Sequence, residues 1–91
     1  MAECREDFVD NEYTAPVGRL EETVAGIVAE VLGVDRIGRS DSFYDFGGTS
    51  LQAIRICARI ESKLGIKAMP LWLFDNDVLE DFVGQLAGAG E

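Results

Sequence analysis

From Val17 onward apolar residues recur at Leu20, Val24, Ile27, Val28 and Val31, the alternating three- and four-residue spacing of one helix face. Glu21 and Glu22 fall in the first turn of that helix, where the helix dipole favours acids. Gly33 follows as a stop signal, and Pro16 marks a boundary just before the start. A second helix is predicted from about Ser50 to Leu64, with Ala53, Ile56, Cys57, Ile60 and Leu64 on one face and Gly65 closing it. Pro70-Leu71-Trp72-Leu73-Phe74 reads as a short third helical turn with proline at its start. Asp77 is placed to cap a last helix, with Glu80 three residues on in a capping-box pattern. Leu79, Phe82, Val83 and Leu86 supply that helix's inner face. The predicted fold class is all-α: a small bundle of three main helices plus a short helix before the last one, with no strands and no internal repeat.

Two regions fall outside this periodicity. Residues 1–16 carry five acids, one arginine and few apolar residues, and read as an acidic flexible tail. Asp35 to Thr49 is a connection near the upper end of the usual loop range, which favours a functional loop. Val34, Ile37, Phe43 and Phe46 are expected to pin it onto the core. The predicted organisation is therefore a tail over 1–16, a domain over 17–87 and a frayed C-terminus over 88–91.

Composition narrows the function classes. The 91 residues are enough for one small domain, and 47% hydrophobic with 27% charged is ordinary for a globular one. No apolar run approaches the roughly 20 residues that span a bilayer, and the polar N-terminus is not a signal peptide, so a cytoplasmic location is expected. Eight basic and seventeen acidic residues give a net charge of −9. That argues against nucleic acid, which needs a basic footprint, and against anionic membranes. There is no histidine, which removes the commonest general base and the commonest metal ligand. Cys4 in the tail and Cys57 in an apolar stripe make neither a disulfide framework nor a zinc site. Asp75, Asn76 and Asp77 lack the spacing of a calcium loop and read as capping residues. No metal site and no catalytic residues are predicted.

The informative stretch is Asp45-Phe46-Gly47-Gly48-Thr49-Ser50-Leu51. The glycine pair allows positive φ and removes side-chain bulk. A helix begins at once, so unpaired N–H groups cluster beside the Ser50 hydroxyl at the positive end of the helix dipole. That setting favours a phosphate ester on Ser50. The plainer reading is that Ser50 or Thr49 is only an N-cap and the glycines only make the turn.

Phe-Gly-Gly-Thr-Ser-Leu resembles the core motif of peptidyl carrier proteins, the thiolation domains of nonribosomal peptide synthesis, whose usual form is Leu-Gly-Gly-x-Ser-Leu after an aspartate. The resemblance covers residues 13 to 87. It includes Asp41, Phe43, Gly47, Gly48 and Ser50 in an Asp-x-Phe-x-x-x-Gly-Gly-x-Ser shape, Leu20 to Ala25, Ala29 to Val34, and Leu73-Phe74. It implies that Ser50 is the covalent attachment point of 4′-phosphopantetheine, with Asp45, Gly47, Gly48 and Thr49 as the motif around it. A phosphopantetheinyl transferase would install the arm from coenzyme A with magnesium. The arm's thiol would hold an amino acid or related acid as a thioester. An adenylation enzyme or domain would load it, and condensation, thioesterase or tailoring enzymes would process it, in antibiotic-type natural-product synthesis. The carrier itself would catalyse nothing. Asp45 would help the transferase dock or hold its metal, or else serve as a turn acceptor or helix-terminal charge.

The chain departs from the family at Met69, where proline is usual, at Asp77-Val78, where Pro-Thr is frequent, and at Trp72, usually a smaller residue. An acyl carrier of polyketide or fatty acid synthesis is the nearest alternative. Such carriers have an acidic second helix, whereas residues 51–67 here carry Arg55, Arg59, Lys63 and Lys67 against Glu61, a local net of +3. A partner built for an acidic helix would meet the wrong sign. Leu51 and Ile54 fall off the main stripe. With Arg55, Met69, Leu71 and Trp72 they form a candidate partner-docking patch, the alternative being plain core packing. A different class remains open, an acidic helical interaction module without a prosthetic group. The initial methionine and short tails suggest a free-standing protein, with an excised domain of a large synthetase as the alternative, and a monomer is expected.

Overall fold

The computed structural model describes residues 2–89; Met1, Gly90 and Glu91 lie outside the described residues. Four α-helices follow in order: α1 Gly18–Leu32, α2 Ser50–Leu64, α3 Pro70–Asp75 and α4 Leu79–Ala89. A 3₁₀ turn over Arg5–Asp7 precedes α1, and another over Phe43–Phe46 precedes α2. Among the described residues no strand forms, and the extended pairings are isolated bridges between Glu3 and Val34 and between Ser42 and Val78. The all-α bundle predicted from the periodicity is the observed one. Helix α1 packs on α2 and α4, and α3 bridges α2 and α4.

The predicted stripes build the core. Val24, Ile27 and Val28 from α1 meet Ala53, Ile56 and Ile60 from α2, Leu73 from α3, and Leu79, Phe82, Val83 and Leu86 from α4. Apart from the small Ala53, each of these side chains contributes about 1.5–3 kcal/mol on burial. Val34, Ile37, Phe43 and Phe46 are also buried, so the long α1–α2 connection is fastened to the core as expected. Gly33 and Gly65 end α1 and α2 at φ 75° and 70°. No helix of the described residues is long and apolar enough to cross a membrane.

Residues 2–17 are not a flexible tail. They fold back over the start of the α1–α2 connection: Glu3 N–H donates to Gly33 O at 2.8 Å, and Asp35 N–H to Glu3 O at 2.7 Å. Val9 is buried, and Arg5 is the largest fully buried side chain, 1% exposed. Its guanidinium grips Asp41, Nε to Oδ2 at 2.5 Å and Nη2 to Oδ1 at 2.8 Å. A count of acids cannot reveal that the one arginine among them has a buried partner thirty-six residues away.

The C-terminal half differs from expectation in two places. Helix α4 runs on through Gly88 to Ala89, so fraying does not begin at Gly88; the rest of that predicted segment, Gly90 and Glu91, lies outside the described residues. Asp77 does not cap α4. The first turn's donors go to backbone carbonyls of the connection, Leu79 N–H to Asp41 O and Glu80 N–H to Arg39 O, both at 3.0 Å. Asp77 instead accepts from the Ser42 hydroxyl. Donors satisfied by a neighbouring loop leave the side-chain cap without a role.

Candidate functional site

The site is the junction between the 3₁₀ turn Phe43–Phe46 and α2. Ser42 opens the turn, its Oγ accepting from Tyr44 N–H at 3.2 Å while donating to Asp77. Phe43 N–H donates to Asp77 O at 2.8 Å, which ties the turn to the α3–α4 corner. Tyr44 stacks on Phe74, rings 6.4 Å apart and 13° from parallel, and its hydroxyl donates to Phe74 O at 3.1 Å. One aromatic contact and four hydrogen bonds therefore set the turn before the glycines are reached.

Gly47 and Gly48 do different work. Gly47 ends the turn in the left-handed region at φ 72°, where a side chain is strained. Gly48 has no such φ but lies against the Phe43 ring: a Cβ there would meet Phe43 Cζ at 2.3 Å. The chain passes this closely over the ring only because Gly48 has no side chain. One glycine supplies the bend and the other the close approach.

Thr49 is the N-cap of α2. Its Oγ1 accepts from Gln52 N–H at 3.3 Å, and Gln52 Oε1 accepts from Thr49 N–H at 3.0 Å. This reciprocal capping box places Ser50 at the first helical position, exposed, with the capping duty already met one residue earlier. The first turn of α2 contains no acid. An anion at Ser50 would thus meet the positive end of a fifteen-residue helix without a competing carboxylate on that turn. Asp45 is exposed in the preceding turn. A phosphate ester on Ser50 fits these residues: an uncommitted, exposed hydroxyl, helix N–H groups beside it, and flanking glycines that add no bulk.

Of the six residues of the candidate patch, five are exposed. Leu51, Ile54, Met69 and Leu71 are 54–58% exposed, and Arg55 is exposed. Trp72 is not an equal member: it is only partly exposed and packs against the core cluster, because α3 turns that edge inward beside Leu73. Along α2, Arg59 pairs with Glu30 of α1 at 2.6 Å, both side chains largely in water. Cys57 is buried, and burial pushes its thiol up to about 11, so it stays protonated near neutrality. Among the described residues no group of three or more Cys, Asp or Glu is placed to hold a metal ion.

Behind the turn lies the ion pair that sequence reading missed. Burial works against ionisation of Asp41, the largest single influence on it. The Arg5 guanidinium, the Gly38 N–H at 2.8 Å and the Asn11 amide at 3.3 Å outweigh that and hold the carboxyl below its usual range. Arg5 is held above its already high value, mainly by its hydrogen bond to Asp41.

Comparison with known proteins agrees with this geometry. The pattern of the family described as "Phosphopantetheine attachment site" matches residues 22–86. Malpinin synthetase of Mortierella alpina is 36% identical over 83 residues, covering 91% of this chain and 1% of that protein. The chain thus spans only a few per cent of the curated relatives it matches. Among solved structures, the docking-domain complex PaxA T1-CDD/PaxB NDD of the Pax nonribosomal peptide synthetase superposes with TM-score 0.82 at 32% identity, covering 90% of this chain and 79% of that one. A complex of the phosphopantetheine transferase Sfp with coenzyme A and a peptidyl carrier protein gives TM-score 0.78 at 29% identity, covering 84% of this chain and 99% of that one.

Proposed function

The chain belongs to the phosphopantetheine attachment family, as a peptidyl carrier domain of the nonribosomal peptide synthetase type with covalent 4′-phosphopantetheine as its prosthetic group, and from that premise we propose that Ser50 carries the arm. The observation that carries the assignment is the Thr49–Gln52 capping box, which leaves the Ser50 hydroxyl exposed and uncommitted at the start of α2. The group supplies, when bound, a terminal thiol that holds an acyl chain as a thioester. The protein's residues present and orient it. Gly47 and Gly48 bring the backbone in close without side chains, and the positive end of α2 would favour the phosphate there. Exposed Asp45 offers a carboxylate to the transferase, which uses coenzyme A.

The whole assembly's chemistry follows as part of the same reading. An adenylation enzyme or domain loads an amino acid or related acid, and condensation, thioesterase or tailoring enzymes act on it. The chain supplies no catalytic group of its own. The exposed residues Leu51, Ile54, Met69 and Leu71 form the apolar centre of the surface those partners meet. Arg55 lies exposed beside that surface, and with the exposed Lys63 and Lys67 it gives this part of the chain a basic character suited to acidic partners, unlike the acidic helix of fatty-acid carriers.

Incubation with coenzyme A and a broad-specificity phosphopantetheinyl transferase, followed by intact mass, tests the assignment. The native chain gains one phosphopantetheine and Ser50→Ala gains none. A gain that persists in Ser50→Ala would move the site to Thr49 or Ser42.

A further inference from the structure

We propose that the N-terminal segment, residues 2–17, is a clamp that positions the attachment loop, acting through Arg5 on Asp41 and through Phe8 on Phe46. The proposal rests on the reading of Ser50 as the attachment residue.

The segment touches the connection between α1 and α2 at successive points along its length. At its start, Asp35 N–H donates to Glu3 O at 2.7 Å, and Arg5 N–H donates to Asp35 Oδ1 at 2.8 Å. Midway, Arg39 N–H donates to Thr14 O at 2.9 Å, and Gly38 lies so close that a Cβ would meet Thr14 O at 2.8 Å. At Asp41 the buried guanidinium takes both carboxylate oxygens and also donates to Asn11 O at 3.2 Å and Glu12 O at 3.4 Å. At the far end the Phe8 ring sits 5.4 Å from the Phe46 ring. Phe46 is the last residue before Gly47, Gly48, Thr49 and Ser50.

The opposite side of the same loop is held by the α3–α4 corner, through Ser42 with Asp77 and Tyr44 with Phe74. Asp41 joins the two supports: its side chain goes to Arg5, and its carbonyl accepts from Leu79 N–H at 3.0 Å. A loop held on both sides has one arrangement. Held on one side only, it spends part of its time in arrangements that do not present Ser50. A transferase that recognises the competent arrangement then sees an apparent affinity lowered by the fraction present, with the chemical step unaltered. Phe8 is the informative residue because it is itself 39% exposed and contributes little to the core.

The test uses the full chain and three variants, Phe8→Ala, Phe8→Tyr and Arg5→Met. Phosphopantetheinylation is followed by intact mass at varied carrier concentration, alongside amide hydrogen exchange of residues 45–50. Phe8→Ala is expected to raise the carrier KM about three- to tenfold while kcat stays within about twofold. Exchange at 45–50 should quicken with α1, α2 and α4 unchanged, and Phe8→Tyr, which keeps the ring, should restore both. Arg5→Met should show the same loop exchange, together with a lower unfolding midpoint. Native KM and native exchange in Phe8→Ala would overturn the clamp. So would exchange that quickens equally in the helices and the loop, which would make the segment a general brace. If the native chain accepts no phosphopantetheine, the functional reading fails, and the exchange pattern alone decides the clamp.

Discussion

The ring of Phe43 lies directly against the backbone of Gly48, with its Cζ 2.3 Å from where a β-carbon would stand. Gly48→Ala therefore forces the ring or the loop to move, an overpacking cost of about 1–3 kcal/mol. Urea unfolding of Gly48→Ala should show that loss. The companion Phe43→Leu/Gly48→Ala, which makes room for the methyl group, should recover part of it. Equal stability of Gly48→Ala and the native chain would contradict the contact.

Thr49 and Ser50 should separate stability from function. Thr49→Ala removes the N-cap of α2 and is expected to cost about 0.5–2 kcal/mol. Ser50→Ala removes an exposed hydroxyl without capping duty and should stay within about 0.5 kcal/mol of the native chain. Thermal unfolding compares the two. A larger loss in Ser50→Ala would return the cap to Ser50.

Acid should release the Arg5–Asp41 pair. The Asp41 carboxyl lies below its usual range in the folded chain, so its contribution is complete above the unfolded chain's value. It is lost as pH falls through the folded value. Below about pH 4 the native chain should lose stability faster than Arg5→Met/Asp41→Leu, in which both charges are gone. Arg5→Met alone strands a buried carboxylate and should cost about 3–5 kcal/mol at neutral pH. Urea midpoints between pH 2.5 and 7 provide the measurement.

Ile54 and Trp72 should behave differently, since one is over half exposed and the other packs on the core. Ile54→Ala should leave the unfolding midpoint nearly unchanged, within about 0.5 kcal/mol, and slow processing by partner enzymes. Trp72→Ala should cost stability, up to about 3 kcal/mol, from lost core packing. Matching stability losses would place Ile54 in the core.

Local signals located most of the site. The helix stripe and glycine stop placed α2 at Ser50–Leu64, and the glycine pair with the following serine marked the junction. Thr49-x-x-Gln52 is itself a capping-box pattern, so the residue that frees Ser50 was also legible. The pattern at Asp77 and Glu80 failed because a cap is decided by which acceptor reaches the donors first, and the connection's carbonyls lie closer. Arg5 left no local trace. A buried ion pair between residues 5 and 41 depends on the folded path of both segments, and in an acidic stretch a single arginine reads as solvated charge. Trp72 went astray because a six-residue helix is too short for periodicity to define a face.

Three of the bonds that hold the loop to α4 and the corner before it, from Phe43, Leu79 and Glu80 N–H groups to carbonyls of residues 77, 41 and 39, are main-chain. Any residue except proline can make them. That part of the loop's placement is independent of its side-chain vocabulary, and substitutions at an exposed position such as Asp45, which lies outside the side-chain contacts of Ser42 and Tyr44, can redraw what a visiting enzyme encounters without loosening the mooring. A scaffold wired in this way lends itself to repurposing, since new recognition can be written onto the loop while its anchorage stays as it is.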